Sequence, residues 1–359
     1  MSGIVSHITG ARPNFPKAAP VLRALGDAGV PQELIHTGQH YDDRLSAVFF
    51  RQLGLPKPDI DLGVGSGTHA RQTAAVMIRL EEHFTRSRPA MVVVYGDVNS
   101  TLATALVTAK LGIPLAHVEA GLRSADRSMP EEINRIVTDQ LSDLLFATSE
   151  DAVEHLRREG VMEDRIHLVG NPMIDTLLAN LDQLDVEVAR ASFGLPDRYA
   201  VATVHRPANV DDPADAVEFV RALHSVADQV DLVLPLHPRG RTRLADAGLG
   251  RHPRLRIVDP LGYVEFLSLV RGAVAVVTDS GGVQEETTVL GVPCLTVRPN
   301  TERPVTVTHG TNQLVTRAGL SQAVEAVLAR EAGRPWPVPP LWDGKAGPRI
   351  AEVIAAALR

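Results

Sequence analysis

The stretch Thr278-Asp279-Ser280-Gly281-Gly282-Val283-Gln284-Glu285-Glu286 follows the apolar run Ala273 to Val277 and leads into a segment with helical patterning. It reads as a strand that ends in a Ser-Gly-Gly turn and opens a helix. Such a join aims backbone N–H groups and the positive helix end at whatever lies beyond the strand tip, and a phosphate suits that position. Gly281 and Gly282 let a ligand approach the backbone with no Cβ in the way. Glu286, one turn into the helix, can accept hydrogen bonds from a ribose diol. Taken alone, the same residues also describe an ordinary helix start, with Ser280 as cap and the glutamates complementing the dipole.

Outward from this stretch the chain repeats one unit, a short apolar run followed by a helical segment. The runs are Ile4 to Thr9, Glu33 to Thr37, Met91 to Tyr95, Leu115 to Glu119, Leu144 to Thr148, Ala200 to Val204, Leu232 to Leu236, Arg256 to Val258, Ala273 to Thr278 and Cys294 to Val297. Several are continuous rather than alternating, as strands covered on both faces should be. The fold class predicted is α/β, with two doubly wound Rossmann-like domains. A chain of 359 residues exceeds one core and favours two domains of about 150 to 200 residues each. The break is placed at Gly170-Asn171-Pro172, giving a first domain over 1–169 and a second over 170–340. The proline-rich Gly333 to Pro340 serves as connector, and a last helix within 341–359 is expected to pack back on the first domain. Two such domains facing each other place their strand carboxyl ends across a cleft, the usual ligand site of open α/β sheets.

A composition of 44% apolar, 22% charged and 4% aromatic residues suits alternating layers of strand and helix. The net charge of -7 argues against nucleic acid as partner, so an anionic ligand must meet local positive charge. Cys294 is the only cysteine, which excludes an internal disulfide and argues against a cysteine-based metal site. No apolar stretch approaches the roughly 18 residues of a membrane span, and the first residues lack a leader pattern. The expectation is a cytoplasmic protein with no membrane partner.

Positive charge stands in Gly10-Ala11-Arg12-Pro13-Asn14-Phe15-Pro16-Lys17, just past the first strand, where Arg12 and Lys17 suit a diphosphate. This is neither a Walker loop nor a dinucleotide fingerprint, so no cofactor is expected. Gly63-Val64-Gly65-Ser66-Gly67 has no strand before it and is read as a loop. Asp97 and Glu119 end consecutive strands, and Glu131 follows Pro130 at a helix start with Arg135 one turn on. Each carboxylate alone could be a cap; three at one rim suit acid/base work. His205 and His237 end strands of the second domain. Phe266 reads as core by spacing, with stacking on a base as its other role.

Together these segments resemble the non-hydrolysing UDP-N-acetylglucosamine 2-epimerases. The resemblance covers nearly the whole chain: Gly10 to Lys17, Thr37 to Asp42, Tyr95 to Thr101, His117 to Ser124, Pro130 to Arg135, Gly170 to Pro172, His205-Arg206, Asp279 to Glu286 and Thr301-Glu302-Arg303-Pro304. It implies the two-domain glycosyltransferase-B fold and a homodimer. By position, Ser280, Gly281, Gly282 and Arg12 would hold the diphosphate, Glu286 the ribose and Phe266 the uracil. Asp97, Glu119 and Glu131 would be the acid/base carboxylates, with Lys17, Arg135 and His205 around the sugar and diphosphate. Gln39, His40, Arg71, Gln72 and His237 match positions where some members bind a second UDP-N-acetylglucosamine as activator. Ala11 and Asn14 depart from a Thr and a Glu frequent in the family.

The implied chemistry also follows from the substrate. C2 of an N-acetylhexosamine is not α to a carbonyl, so direct deprotonation gives no stabilised carbanion. Without a dinucleotide site, departure of the anomeric UDP is the natural route, through 2-acetamidoglucal. A retaining glycosyltransferase, a hydrolysing epimerase, an epimerase of a modified UDP-sugar and a non-catalytic nucleotide-sugar sensor are the competing readings.

Overall fold

The computed structural model describes residues 3–38, 52–204, 212–236, 238–330 and 336–359. Its chain divides into two compact units, Met1–Ala179 with Pro340–Arg359, and Asn180–Pro339.

The first unit is built on a seven-stranded sheet of β1 (Val5–Thr9), β2 (Gln32–His36), β3 (Ile60–Asp61), β4 (Met91–Tyr95), β5 (Leu115–Ala120), β6 (Leu144–Ala147) and β7 (Ile166–Leu168). Every pair is parallel, in the order β3-β2-β1-β4-β5-β6-β7. The order reverses between β1 and β4, and the connections leaving those two strands part to either side, opening a crevice at their carboxyl ends. That crevice lies between the segments Gly10 to Lys17 and Gly96 to Asn99. β1, β4 and β5 are buried along their whole length, so none of them alternates between a buried and an exposed face.

The second unit repeats the plan with six parallel strands, β8 (Tyr199–Thr203), β9 (Asp231–Pro235), β10 (Leu255–Val258), β11 (Ala275–Thr278), β12 (Cys294–Val297) and β13 (Asn312–Val315), ordered β10-β9-β8-β11-β12-β13. Its reversal falls between β8 and β11, so the Ser-Gly-Gly turn leaves the sheet at the switch point. Apolar side chains cover both faces: Phe219, Leu223 and Leu234 belong to one cluster, Val201, Leu269 and Val276 to the other. The predicted fold class, two doubly wound α/β domains, is what the chain forms.

Three details differ from the reading of the sequence. A strand does precede Gly63 to Gly67: β3 is two residues long and held by the pairs Ile35↔Ile60 and His36↔Asp61, too short to show periodicity. β13 is a further strand, an edge strand whose Asn-Gln-Leu-Val sequence forms neither a continuous apolar run nor a clear alternation. The units change over between Ala179 and Asn180, past the Gly170-Asn171-Pro172 break. The reason is visible in the helix Pro172–Ala179. Pro20, inside the helix Phe15–Asp27, has no N–H for the Pro16 carbonyl, and Thr176 Oγ1 donates to that carbonyl instead at 2.6 Å. Asp175 accepts from Ala346 N at 3.1 Å and Gly347 N at 2.7 Å, capping the last helix, Ala346–Ala357, against the same unit. Gly347 lies so close to Pro20 that a Cβ there would sit 2.6 Å from its carbonyl oxygen.

Candidate active site

At the end of β1 the chain makes a single 3-10 turn over Arg12–Asn14 before the helix Phe15–Asp27. Asn14 organises this turn: its Oδ1 accepts from Gly10 N at 3.0 Å and Ala11 N at 3.1 Å, and its Nδ2 donates to Tyr95 O at 2.8 Å. A glutamate could not make that last donation. The amide therefore ties the tip of β1 to the tip of β4 and keeps Arg12, half-buried, at the crevice mouth. Lys17, one turn into the helix, is 5% exposed and its Nζ pairs with Glu119.

Glu119 lies where the β5–β6 register shifts, with φ at +73°. That left-handed backbone costs a non-glycine residue about 1 kcal/mol or more and persists only where the surroundings enforce it, commonly at functional positions. Gly96, also left-handed, makes the room: a Cβ there would stand 2.9 Å from Glu119 Oε2 and 3.0 Å from Lys17 Nζ.

Asp97 follows, with 26% of its side chain exposed, and pairs with Arg135 Nη1. Arg135 is buried on the helix Pro130–Leu141 and is gripped from behind by Glu132, which accepts from its Nε at 3.1 Å and its Nη2 at 2.7 Å. Glu132 also accepts from Ser124 N at 3.0 Å and Ala125 N at 2.9 Å. Burial alone would raise its pKa, but the Ser124 amide and the Arg135 guanidinium outweigh burial and hold the carboxyl below the usual range. Glu131 is exposed and Glu132 is the buried partner, because the helix turns its 132, 135 and 139 positions inward. Asn134 Nδ2 donates to Asp97 O at 2.8 Å, fixing the strand tip from the same helix.

Below these groups lies His117, on β5. Its Nε2 donates to Gly96 O at 2.8 Å and its Nδ1 stands 2.6 Å from Asp139 Oδ1. Fully buried Asp139 also accepts from Gly121 N at 3.1 Å and pairs with Arg123 at 2.7 Å. Burial acts to raise the Asp139 pKa, and His117 and Arg123 together drive it below the usual carboxylate range.

In the second unit, β11 ends at Thr278, whose Oγ1 accepts from Ser280 N at 2.9 Å and lies 2.6 Å from Thr203 Oγ1. The helix Gly281–Leu290 starts there with Ser280 at its N-cap position, and the Ser280 side chain makes no cap hydrogen bond. The plain capping role is therefore not the one it plays. Guanidinium charge approaches the turn from the side: a Cβ on Gly281 would overlap Arg303 Nη1 and lie 2.6 Å from Glu302 Oε1. Arg303 is set by Glu285 at 2.9 Å and by Glu302, which also pairs with Arg298 at 2.7 Å. Glu286 is 4% exposed. Burial pushes its carboxyl up to about 8, with Glu285 adding to the effect and a hydrogen bond from Tyr263 opposing it. Phe266, on the helix Tyr263–Gly272, is part-buried against the apolar cluster of Leu269 and Val283.

The structure thus gathers Lys17, Asp97, Glu119 and Arg135 at the first switch point, and Ser280, Gly281, Gly282 and Glu286 at the second. Among the activator positions, Arg71 is exposed, whereas Gln72 is buried, donating to Gly65 O at 3.0 Å and accepting from Asn99 Nδ2 at 2.8 Å. Gln39, His40, His205 and His237 lie outside the described residues. Glu132, Asn134, His117, Asp139, Tyr263 and Arg303 were not singled out beforehand. The available signal was the spacing of Glu132, Arg135 and Asp139, which sets three charged groups on one face of one helix.

With this geometry in place, the comparisons with known proteins are specific. The family model described as UDP-N-acetylglucosamine 2-epimerase matches residues 23–355. UDP-N-acetylglucosamine 2-epimerase of Methanocaldococcus jannaschii is 42% identical, covering 98% of both chains. Its crystal structure in complex with UDP-GlcNAc and UDP aligns with a TM-score of 0.91, over 98% of this chain and 99% of that one. UDP-2,3-diacetamido-2,3-dideoxy-D-glucuronate 2-epimerase of Pseudomonas aeruginosa is 44% identical over 86% of this chain and 87% of its own. A match that runs almost end to end, on a fold whose two switch points carry the expected groups, leaves one assignment: the chain belongs to the UDP-N-acetylglucosamine 2-epimerase family.

Proposed function

We propose that the protein interconverts UDP-N-acetylglucosamine and UDP-N-acetylmannosamine without hydrolysis. The observation that carries this reading is the paired carboxylate cluster at the first switch point, Asp97 with Arg135 and strained Glu119 with Lys17. A carboxylate of this set takes the C2 proton while the C1–O bond breaks and its electron pair leaves with UDP, giving 2-acetamidoglucal. A second group then returns a proton to the opposite face of C2 as the UDP oxygen re-adds at C1. Asp97, Glu119 and Glu131 are the acid/base candidates, and the family resemblance adds His205. Lys17 and Arg135 set the carboxylates and face the developing negative charge of the leaving group. The helix start at Ser280 to Gly282, together with Arg12, grips the diphosphate, Glu286 the ribose and Phe266 the uracil. Retention of UDP between the two half-reactions requires closure over the sugar. The quaternary state inferred is a homodimer, which light scattering would test.

Proton NMR of UDP-N-acetylglucosamine with the protein in deuterium oxide tests the proposal. Deuterium at C2 together with UDP-N-acetylmannosamine is the expected result. Free N-acetylmannosamine would indicate hydrolysis, and no exchange would refute epimerisation of this sugar. The 44% identity to an epimerase named for a diacetamido glucuronate favours a second reading, a modified UDP-sugar as substrate. Exchange confined to such a sugar in the same assay would establish it.

A further inference from the structure

The three segments that supply the acid/base groups are separate in sequence: the β4 tip with Asp97, the β5 tip with Glu119, and the helix Pro130–Leu141 with Glu131 and Arg135. One pair of side chains touches all three. Asp139 stands on the helix, one turn beyond Arg135. It accepts from the backbone of Gly121, two residues past Glu119, and bonds the ring of His117 in the middle of β5. The same ring reaches across to the carbonyl of Gly96, the residue immediately before Asp97.

Both His117 nitrogens have a partner, a carboxylate and a peptide carbonyl, so the ring cannot turn over without losing a bond. Asp139 meets two side chains from different segments, His117 and Arg123, and Arg123 is anchored by bidentate bonds to Glu159 at 2.8 Å and 2.7 Å. Both members of the pair have no solvent exposure, so neither can meet the substrate itself.

We propose that Asp139, through His117, is a positioning residue that sets the separation of Asp97 and Glu119 and the approach of the helix that carries Arg135. The strained φ of Glu119 is the reason such a strut is needed. A backbone in a sparsely populated conformation relaxes unless its flanks are held, and here Gly121 N is held by Asp139 on one side while Lys17 holds the side chain on the other. A shift of about 1 Å at the reacting groups is worth about a hundredfold in rate.

The inference rests on the proposed epimerisation, and its test separates the two. D139N preserves shape, but it removes the charge that pairs with Arg123 and leaves one acceptor oxygen where the carboxylate offers two to Gly121, Arg123 and His117. H117Q can span to Gly96 or to Asp139 but not to both. Each variant of the full chain is assayed for C2 deuterium exchange, kcat and KM, and for UDP dissociation constant by calorimetry. E159Q serves as control, since it removes one anchor of Arg123 while leaving the Asp139 bonds to His117 and Gly121 in place. The expected result is a fall of about a hundredfold in kcat and in exchange for D139N and H117Q, with KM and UDP affinity within about threefold of wild type, and E159Q unchanged. Exchange and kcat within about threefold of wild type in both variants overturns the strut. Parallel loss of kcat and UDP binding in all three variants also overturns it, in favour of a general role in stability. Absence of exchange by the wild-type protein strikes instead at the proposed function.

Discussion

Replacement of Glu286 by glutamine should stabilise the ligand-free protein at neutral pH, although the residue is buried at the heart of the second half-site. In the native protein its carboxyl titrates at about 8 rather than at the ordinary 4.5, because burial disfavours the charged form. Between those two values the folded protein keeps a proton that the unfolded chain releases. The stability associated with the neutral carboxyl is therefore complete below about pH 4.5, falls as pH rises through that interval, and is fully lost above about 8. At about 1.4 kcal/mol per unit, the native state is penalised by about 3 kcal/mol at pH 7 and by about 1 kcal/mol at pH 5. Glutamine has the same shape, stays neutral and can still pair with Tyr263, so it should escape that penalty. For a unit of this size the gain at pH 7 corresponds to a Tm increase of roughly 6–12 °C, shrinking to roughly 2–4 °C at pH 5. Differential scanning calorimetry at pH 5, 7 and 9 without nucleotide reads this directly. A variant less stable than wild type at pH 7, or a Tm difference that is the same at pH 5 and 7, would refute the reasoning. The same substitution should weaken UDP binding, since an amide is a poorer acceptor for a ribose diol than a carboxylate.

Asp97→Asn should keep the UDP dissociation constant within about threefold while kcat falls by about two orders of magnitude or more, because the amide fills the same space but cannot accept the C2 proton; unchanged turnover would remove Asp97 from the acid/base set. Arg12→Ala should weaken UDP binding by about tenfold, consistent with loss of a charge-assisted phosphate contact, and an unaltered dissociation constant in calorimetry would contradict that role. In Gly281→Ala the new methyl overlaps Arg303 Nη1 and crowds Glu302. The variant should lose at least about tenfold in UDP affinity through displacement of a charge-assisted contact, and wild-type affinity would show that the turn tolerates a side chain.

Much of the molecule is legible in its sequence. The apolar runs that became β4, β8, β11 and β12 read as strands covered on both faces, so two parallel sheets followed from hydrophobicity and spacing. Groups at or just past strand ends, Arg12, Asp97, Glu119 and Ser280, had to stand at strand tips because a strand's direction fixes where its last residue points. The motifs at those tips carried the family as well. Glu131 shows the limit of such reading. A carboxylate beside a proline marks a helix start, but only the phase of the packed helix decides that Glu132 turns inward to grip Arg135 while Glu131 stays outside.

What the sequence determined by itself was therefore everything that depends on local chain direction and on apolar periodicity: the elements, their doubly wound order, and which residues leave the strand ends. What only the tertiary structure decided was every property that depends on neighbours distant in the chain. Asn14 bridges to Tyr95 across 81 positions, and Lys17 finds Glu119 across 102. The Glu286 carboxyl titrates at about 8 because the fold removes water from around it and brings Tyr263 beside it. Burial and electrostatic pairing are set by three-dimensional distance, and a linear chain of side chains holds no record of that distance until the sheets have closed.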